Sequence, residues 1–187
     1  LSLSLSLALG GCPGGKKAET EDQKRETSAA NHKPAYGDTL IEGSIGEATN
    51  LIPMLASDSA SHNISGLIIN GLVKYDKDVK LVGDLAESWE VSQGGLQITF
   101  KLRRGVTWHD GHPFTAKDVL FGFQTITDPK TPTAYAEDFR QVKKAEAPDD
   151  YTFRVTYEKP FAPALTSWGN LVVLPKHLLE GKDIAKS

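Results

Sequence analysis

The stretch "ITFKLRRGVTWHDGHPFTAKDV", residues 98–119, decides how this chain is read. It opens on a strand pattern, with Ile98, Phe100 and Leu102 on one face and Thr99 and Lys101 on the other. Leu96 continues the apolar face upstream, and Gly94-Gly95 supplies a turn before it. Asp110-Gly111 is a second turn dipeptide, and Pro113 fixes φ and removes a backbone donor. Thr115 is placed to cap a helix, with Asp118 as an acidic partner for its first turn. Val119, Phe123 and Ile126 then recur at i, i+4 and i+7, the stripe of a helix with one buried face. The stretch therefore runs strand, turn, helix start.

Two histidines, His109 and His112, flank that turn and raise the question of a metal or catalytic centre. A transition-metal site needs three or four ligands. The other histidines, His32, His62 and His177, are scattered, and no HExxH pattern gathers them. No GxSxG elbow, Walker loop or GxGxxG run occurs. The two histidines read as part of a turn, with no metal, no cofactor and no catalytic residue expected.

The chain has 187 residues, 39% hydrophobic and 24% charged, with a net charge of −3. That is globular material for one domain or slightly more. Acidic and basic residues are interspersed, so no basic stripe points to nucleic acid. The single cysteine, Cys12, closes the run "LSLSLSLALGGC", in which an apolar h-region-like stretch leads to Leu9-Gly10-Gly11-Cys12. This is the form of a bacterial lipobox, with small residues before a cysteine destined for lipidation. Residues 1–12 read as the remnant of a signal peptide, with no initiator Met or basic region ahead of Leu1. Residues 13–37 are polar and charged and read as a flexible tether. The chain reads as a fragment at both ends.

Order is expected from Asp38. "TLIEGSI" (39–45) has strand character. From Asn63, the apolar residues Ile64, Leu67, Ile68 and Leu72 fall at helical spacing, with Ser59 or Ser61 as the cap. Residues 71–91 read as a short strand, a charged turn and a second short segment. "YTFRVTY" (151–157) repeats the alternating pattern after the turn "APDD". These strands predict an antiparallel or mixed sheet covered on one face. Trp89, Trp108 and Trp168 read as core anchors.

Residues 81–126, "LVGDLAESWEVSQGGLQITFKLRRGVTWHDGHPFTAKDVLFGFQTI", resemble the hallmark region of the family 5 extracellular solute-binding proteins. "GLVKYD" before them, and "VTYEKPFAPAL" and "LPKHLLEG" after them, fit the same pattern in order. The resemblance implies an α/β fold of the periplasmic-binding-protein type II class, two lobes with an extra small domain inserted near the N-terminus. On that basis residues 38–58 are the first segment of lobe I, 59–170 the inserted domain and 171–187 the start of the return into lobe I. The implied function is ligand capture for an ABC importer, with an extended peptide held between the lobes by its backbone and delivered to the permease and its ATPases. The implied protein is a monomer in the cell envelope, on the extracytoplasmic face, anchored to a membrane through Cys12.

The resemblance also points to candidate ligand contacts. Ser57, Asp58 and Ser59 fall in the ligand-lining loop "NLIPMLASDSASHN" (50–63). Asp58 either meets a ligand amine or caps the helix that follows, and the residues leave both open. Tyr135 falls at a pocket tyrosine of some peptide binders, with core packing as its alternative. Glu47 lies at the end of the first strand, where a salt bridge is its alternative. Relatives that bind nickel chelates, haem or oligosaccharides make these the competing ligands. A surface metallohydrolase on His109 and His112 and a purely structural or adhesive lipoprotein are the remaining alternatives.

Overall fold

The structure, a computed structural model, describes Gly37, Gly43, residues 46–171 and residues 173–186. The expected signal remnant, Cys12, the tether up to Tyr36 and the body of the 39–45 strand lie outside the described residues. Contacts divide the chain into units 1–43 and 44–187, and every element below belongs to the second.

Its elements are α1 (Ser59–Ile68), β1 (Val73–Tyr75), β2 (Leu81–Gly83), β3 (Ala86–Ser92), β4 (Gln97–Leu102), α2 (Ala116–Thr127), β5 (Val142–Asp149), β6 (Thr152–Tyr157), α3 (Ala164–Asn170) and α4 (Lys176–Leu179). β1 and β2 form a small antiparallel hairpin. The other four strands form one antiparallel sheet in the order β3-β4-β6-β5. The predicted sheet is thus wholly antiparallel. Its two central strands are those whose alternation was read from the sequence.

The alternation puts Ile98, Phe100 and Leu102 of β4 and Phe153, Val155 and Tyr157 of β6 into the core. Leu96 falls just outside β4, in the turn that follows Gln93–Gly95. That turn has positive φ at Gln93, Gly94 and Gly95, inexpensive at the two glycines and strained at Gln93. α2 forms as expected. Thr115 Oγ1 accepts from the Lys117 amide, and Asp118 Oδ2 accepts from the Thr115 amide, a reciprocal cap. Val119 and Ile126 of its stripe are buried, and Phe123 is half-buried.

Trp168 of α3 is the hub of the core. Its ring lies 5.1 Å from those of Phe139 and Phe153, 5.8 Å from Phe123 and 6.1 Å from Phe100. Such tilted and edge-on contacts each add about 0.5–1.5 kcal/mol beyond burial. Its Nε1–H donates to the Tyr157 hydroxyl at 2.7 Å. Trp89 and Trp108 are half-buried and pack against this core from its margin.

Two findings differ from the sequence reading. α1 begins at Ser59 rather than near Asn63, and of the three caps the sequence offered, Asp58 is the one realised, not Ser59 or Ser61. The reason is that Asp58 is the last extended residue, and its carboxylate reaches the Ser61 amide at 2.7 Å. The strand β5 also has no counterpart in the sequence reading.

Candidate functional site

The loop before α1 is held by a compact hydrogen-bond knot. Asp58 accepts from the Thr49 hydroxyl at 2.6 Å, the Ser61 amide at 2.7 Å and the Ser61 hydroxyl at 2.8 Å. Ser61 Oγ in turn accepts from the amides of Thr49 and Asn50. Acceptance from Thr49 first, then from Ser61, holds the Asp58 carboxyl at about 2, well below its ordinary value. Of the two roles left open for Asp58, capping is the one these bonds realise. Ser57 and Ser59 flank it and are exposed.

One turn along α1 from Asp58, His62 meets Tyr135. The Tyr135 hydroxyl and His62 Nε2 are 3.1 Å apart, and the two rings stand edge to face at 6.2 Å. Both rings line a cavity of about 390 Å³ with Pro53, Asn70, Gly71, Ile126 and residues 169–171. A second cavity of about 360 Å³ shares Gly66, Ile69, Asn70, Gly71, Gly169 and Asn170 with the first, so the two make one trough. Its far end carries Asp84, which accepts from Asn70 Nδ2 at 2.8 Å and from Lys74 Nζ at 2.9 Å.

The backbone makes that trough narrow at its floor. A Cβ on Gly71 would stand 2.0 Å from the Gly169 carbonyl oxygen, and one on Gly169 would stand 2.9 Å from that of Val73. Only glycine at both positions allows α3 and the start of β1 to approach this closely.

Among the sequence candidates, the structure gathers the 57–59 loop and Tyr135 around α1. Glu47 is exposed and makes no ion pair among the described residues. Cys12 lies outside them. His62 was passed over as one of the scattered histidines. Its only local signal is its place four residues after Asp58, because Tyr135 is 73 residues away in sequence.

The HDG turn is a separate place. Thr107 and Pro113 bridge across it, and Gly111 takes positive φ. His177 Nε2 donates to Asp110 Oδ2 at 2.7 Å, and this bond foremost holds the Asp110 carboxyl below its ordinary value. The His112 and His177 rings stack at 3.9 Å with only 17° between their planes. Rings stacked face to face point their in-plane lone pairs side by side, not at a shared centre. No group of three or more histidine, cysteine or acidic residues that could hold a metal occurs among the described residues. The Asp110–His177 bond ties the turn to α4, and Asp118 of α2 holds the same element by accepting from the Lys176 amide at 3.0 Å.

A family model described as bacterial extracellular solute-binding proteins, family 5, middle part, matches residues 80–186. The chain is 34% identical over 140 residues to the glutathione-binding protein GsiB of Pectobacterium atrosepticum, covering 73% of this chain and 27% of that one. It is 32% identical over 185 residues to the oligopeptide-binding protein AppA of Bacillus subtilis, covering 97% of this chain and 33% of that one. The AppA structure in complex with a nonapeptide superposes with a TM-score of 0.70 at 29% identity, over 76% of this chain and 29% of that one. NikZ from Campylobacter jejuni, in complex with Ni(L-His), gives 0.69 at 31% identity, over 76% of this chain and 28% of that one. The fold is that of the periplasmic binding proteins, and the chain spans a third or less of the length of these relatives.

Proposed function

We propose, because this chain belongs to the bacterial extracellular solute-binding proteins of family 5, that it is part of the peptide-capturing component of an ABC importer. The observation that carries the peptide reading is the likeness to oligopeptide-binding AppA over 97% of this chain. The trough agrees in its chemistry. Asn70 and Asn170 put side-chain amides beside the glycine backbone of residues 66, 71 and 169, a polar lining suited to an extended ligand. Ser57, Ser59, Tyr135 and Glu47 are assigned to ligand contact. Asp58 is assigned to shaping the loop, since its oxygens already serve Thr49 and Ser61. In the complete protein, residues 38–58 and 171–187 belong to lobe I and 59–170 to the inserted domain.

The envelope reading follows from the same proposal. Lipid on Cys12 would hold a monomeric binder beside its permease and raise its effective concentration there. Labelled palmitate is expected in the wild type and not in Cys12→Ser, and a Cys12→Ser protein that still labels overturns the anchor.

A second reading keeps the fold and exchanges the ligand for a metal chelate. Similarity to NikZ in complex with Ni(L-His) favours it, as does His62 in the trough. Native mass spectrometry of the longer mature polypeptide, purified without refolding, separates the two. A distribution of short-peptide masses supports the peptide importer. A single nickel-chelate mass replaces it with the second reading, and an adhesive protein would carry neither.

A further inference from the structure

Helix α1 turns Ala60, Ser61 and Ser65 inward and leaves Ile64, Leu67 and Ile68 exposed. His62 stands half-buried at the margin between those faces and lines the trough together with Tyr135. Its Nε2 lies 3.1 Å from the Tyr135 hydroxyl, and neither the hydroxyl nor the imidazole has a further hydrogen bond among the described residues. A neutral imidazole can meet a hydroxyl in two ways, as acceptor or as donor. Its bare ring nitrogen is a stronger acceptor than a phenol oxygen, and a phenol is a stronger acid than a neutral imidazole N–H. The neutral pair therefore takes the form O–H···Nε2, with the ring proton on Nδ1. The Tyr135 oxygen then turns its lone pairs to the trough as an acceptor. A second proton on the ring reverses this. Nε2–H donates to the oxygen, and the Tyr135 O–H is released to donate into the trough. One proton at His62 thus inverts what Tyr135 offers a ligand and sets a positive charge beside it.

We propose that His62, acting through Tyr135, sets the hydrogen-bond polarity of this end of the trough, so that the site takes an N–H or ammonium group of the ligand while the histidine is neutral and loses it on protonation. His62 is the positioning residue, and Tyr135 is the group that touches the ligand. The proposal rests on reading the trough as ligand-binding surface. No other group around the pair competes for the role. Asp58 lies one turn earlier on α1, with its oxygens serving Thr49 and Ser61. Pro53, Ile126 of α2 and residues 169–171 bring no titratable side chain to the cavity. Asp84 and Lys74 stand at the far end, beside Tyr75, and pair with each other at 2.9 Å. Histidine is the side chain whose ordinary titration falls between about pH 5 and 8, so among these groups it alone changes charge there.

The test uses the longer mature polypeptide and trialanine, whose two ends titrate near about 3.5 and 8, so that between about pH 5 and 7 a change in affinity arises in the protein. Titration calorimetry should give an affinity about three- to tenfold lower at the acid end of that window, the worth of one hydrogen bond. His62→Gln has an amide that bonds Tyr135 without titrating, and Tyr135→Phe leaves the histidine free to titrate. Each should abolish the dependence. A dependence that survives in Tyr135→Phe overturns the proposal, because the charge of the histidine then acts without the hydroxyl. One that survives in His62→Gln overturns it in favour of another group, and a wild-type affinity that is flat or rises towards acid overturns it as well. The direction of the bond is read without ligand, from nitrogen NMR spectra of isotope-labelled histidines, with the His62 signal identified by its loss in His62→Gln. A bare Nε2 at about pH 8 that gains its proton towards about pH 5 upholds the reversal, and an Nε2 already protonated at about pH 8 overturns it. If trialanine binds at neither pH, the peptide reading fails separately, and the spectrum still decides the reversal.

Discussion

Asp58 is the residue on which the candidate ligand loop turns, and its charge is what the loop is built around. Its folded value of about 2 lies below the ordinary 3.8, so its stabilising effect is complete above about pH 4 and is lost as pH falls towards 2. Asp58→Asn keeps a capping side chain and removes the titration. The acid arm of the stability curve between pH 4 and 2 should therefore be shallower in Asp58→Asn than in the wild type. Equal slopes would show that the knot does not feel the charge. Tyr157 is the corresponding case inside the core. Burial pushes its hydroxyl up to about 12, so it remains neutral and accepts from Trp168. Tyr157→Phe keeps the ring but orphans the indole N–H, and should cost about 1–3 kcal/mol in urea denaturation. A loss below a few tenths would mean that water replaces the hydroxyl. At this scale the sequence showed what is local. Thr115 and Asp118 sit three apart, and so their cap was readable. His62 with Tyr135, and His177 with Asp110, pair across 73 and 67 residues, and no spacing rule reaches that far.

Elements were legible where one face is buried and the other wet. β4, β6 and α2 meet that condition, and their patterns of two and of four stood out. β5 does not, because Lys143 and Lys144 are both exposed, two register shifts interrupt it and Pro148 lies within it. Those are features of an edge strand, where charge and proline discourage further pairing. The facing of α1 was also hidden, since spacing shows that a stripe exists but not which side of it is covered. The β1–β2 hairpin carries its own strain. Val79 in its turn has φ 59° and is 77% exposed, an arrangement that suits glycine. Val79→Gly should raise stability by roughly 0.5–1 kcal/mol, the relief of a left-handed β-branched residue less the backbone freedom glycine gains when unfolded. A destabilised variant in thermal melts would show that the valine side chain makes a contact worth more than its strain. Gly71→Ala should act in the opposite sense. The new Cβ meets main chain, which cannot rotate away, so a loss of about 1–3 kcal/mol is expected together with a widened trough.

At the scale of the molecule, the proposed inserted domain and its flanks share one core. Met54 on one side of residues 59–170, and Leu171, Val173 and Leu174 on the other, are each at most 2% exposed and belong to the same cluster as Trp168. An insertion can be separate in chain order and still not be separate in energy. Fully burying four such side chains is worth together about 6–12 kcal/mol. Whole domains are stable by only about 5–15 kcal/mol. The Asp118 carboxylate, which caps α2 and also accepts from the Lys176 amide, adds a polar tie across the same boundary. A polypeptide of residues 59–170 should therefore not melt cooperatively, whereas residues 46–187 should. Calorimetry on the two distinguishes the cases directly. A sharp transition for 59–170, close in midpoint to that of 46–187, would mean that the flanks are carried by the inserted domain rather than completing it. A broad or absent transition for 59–170 beside a sharp one for 46–187 would mean that the domain boundary is a property of chain order alone. Motion of a lobe against the insert would then have to pivot outside residues 46–186, because a hinge at 58/59 or 170/171 would open a filled core.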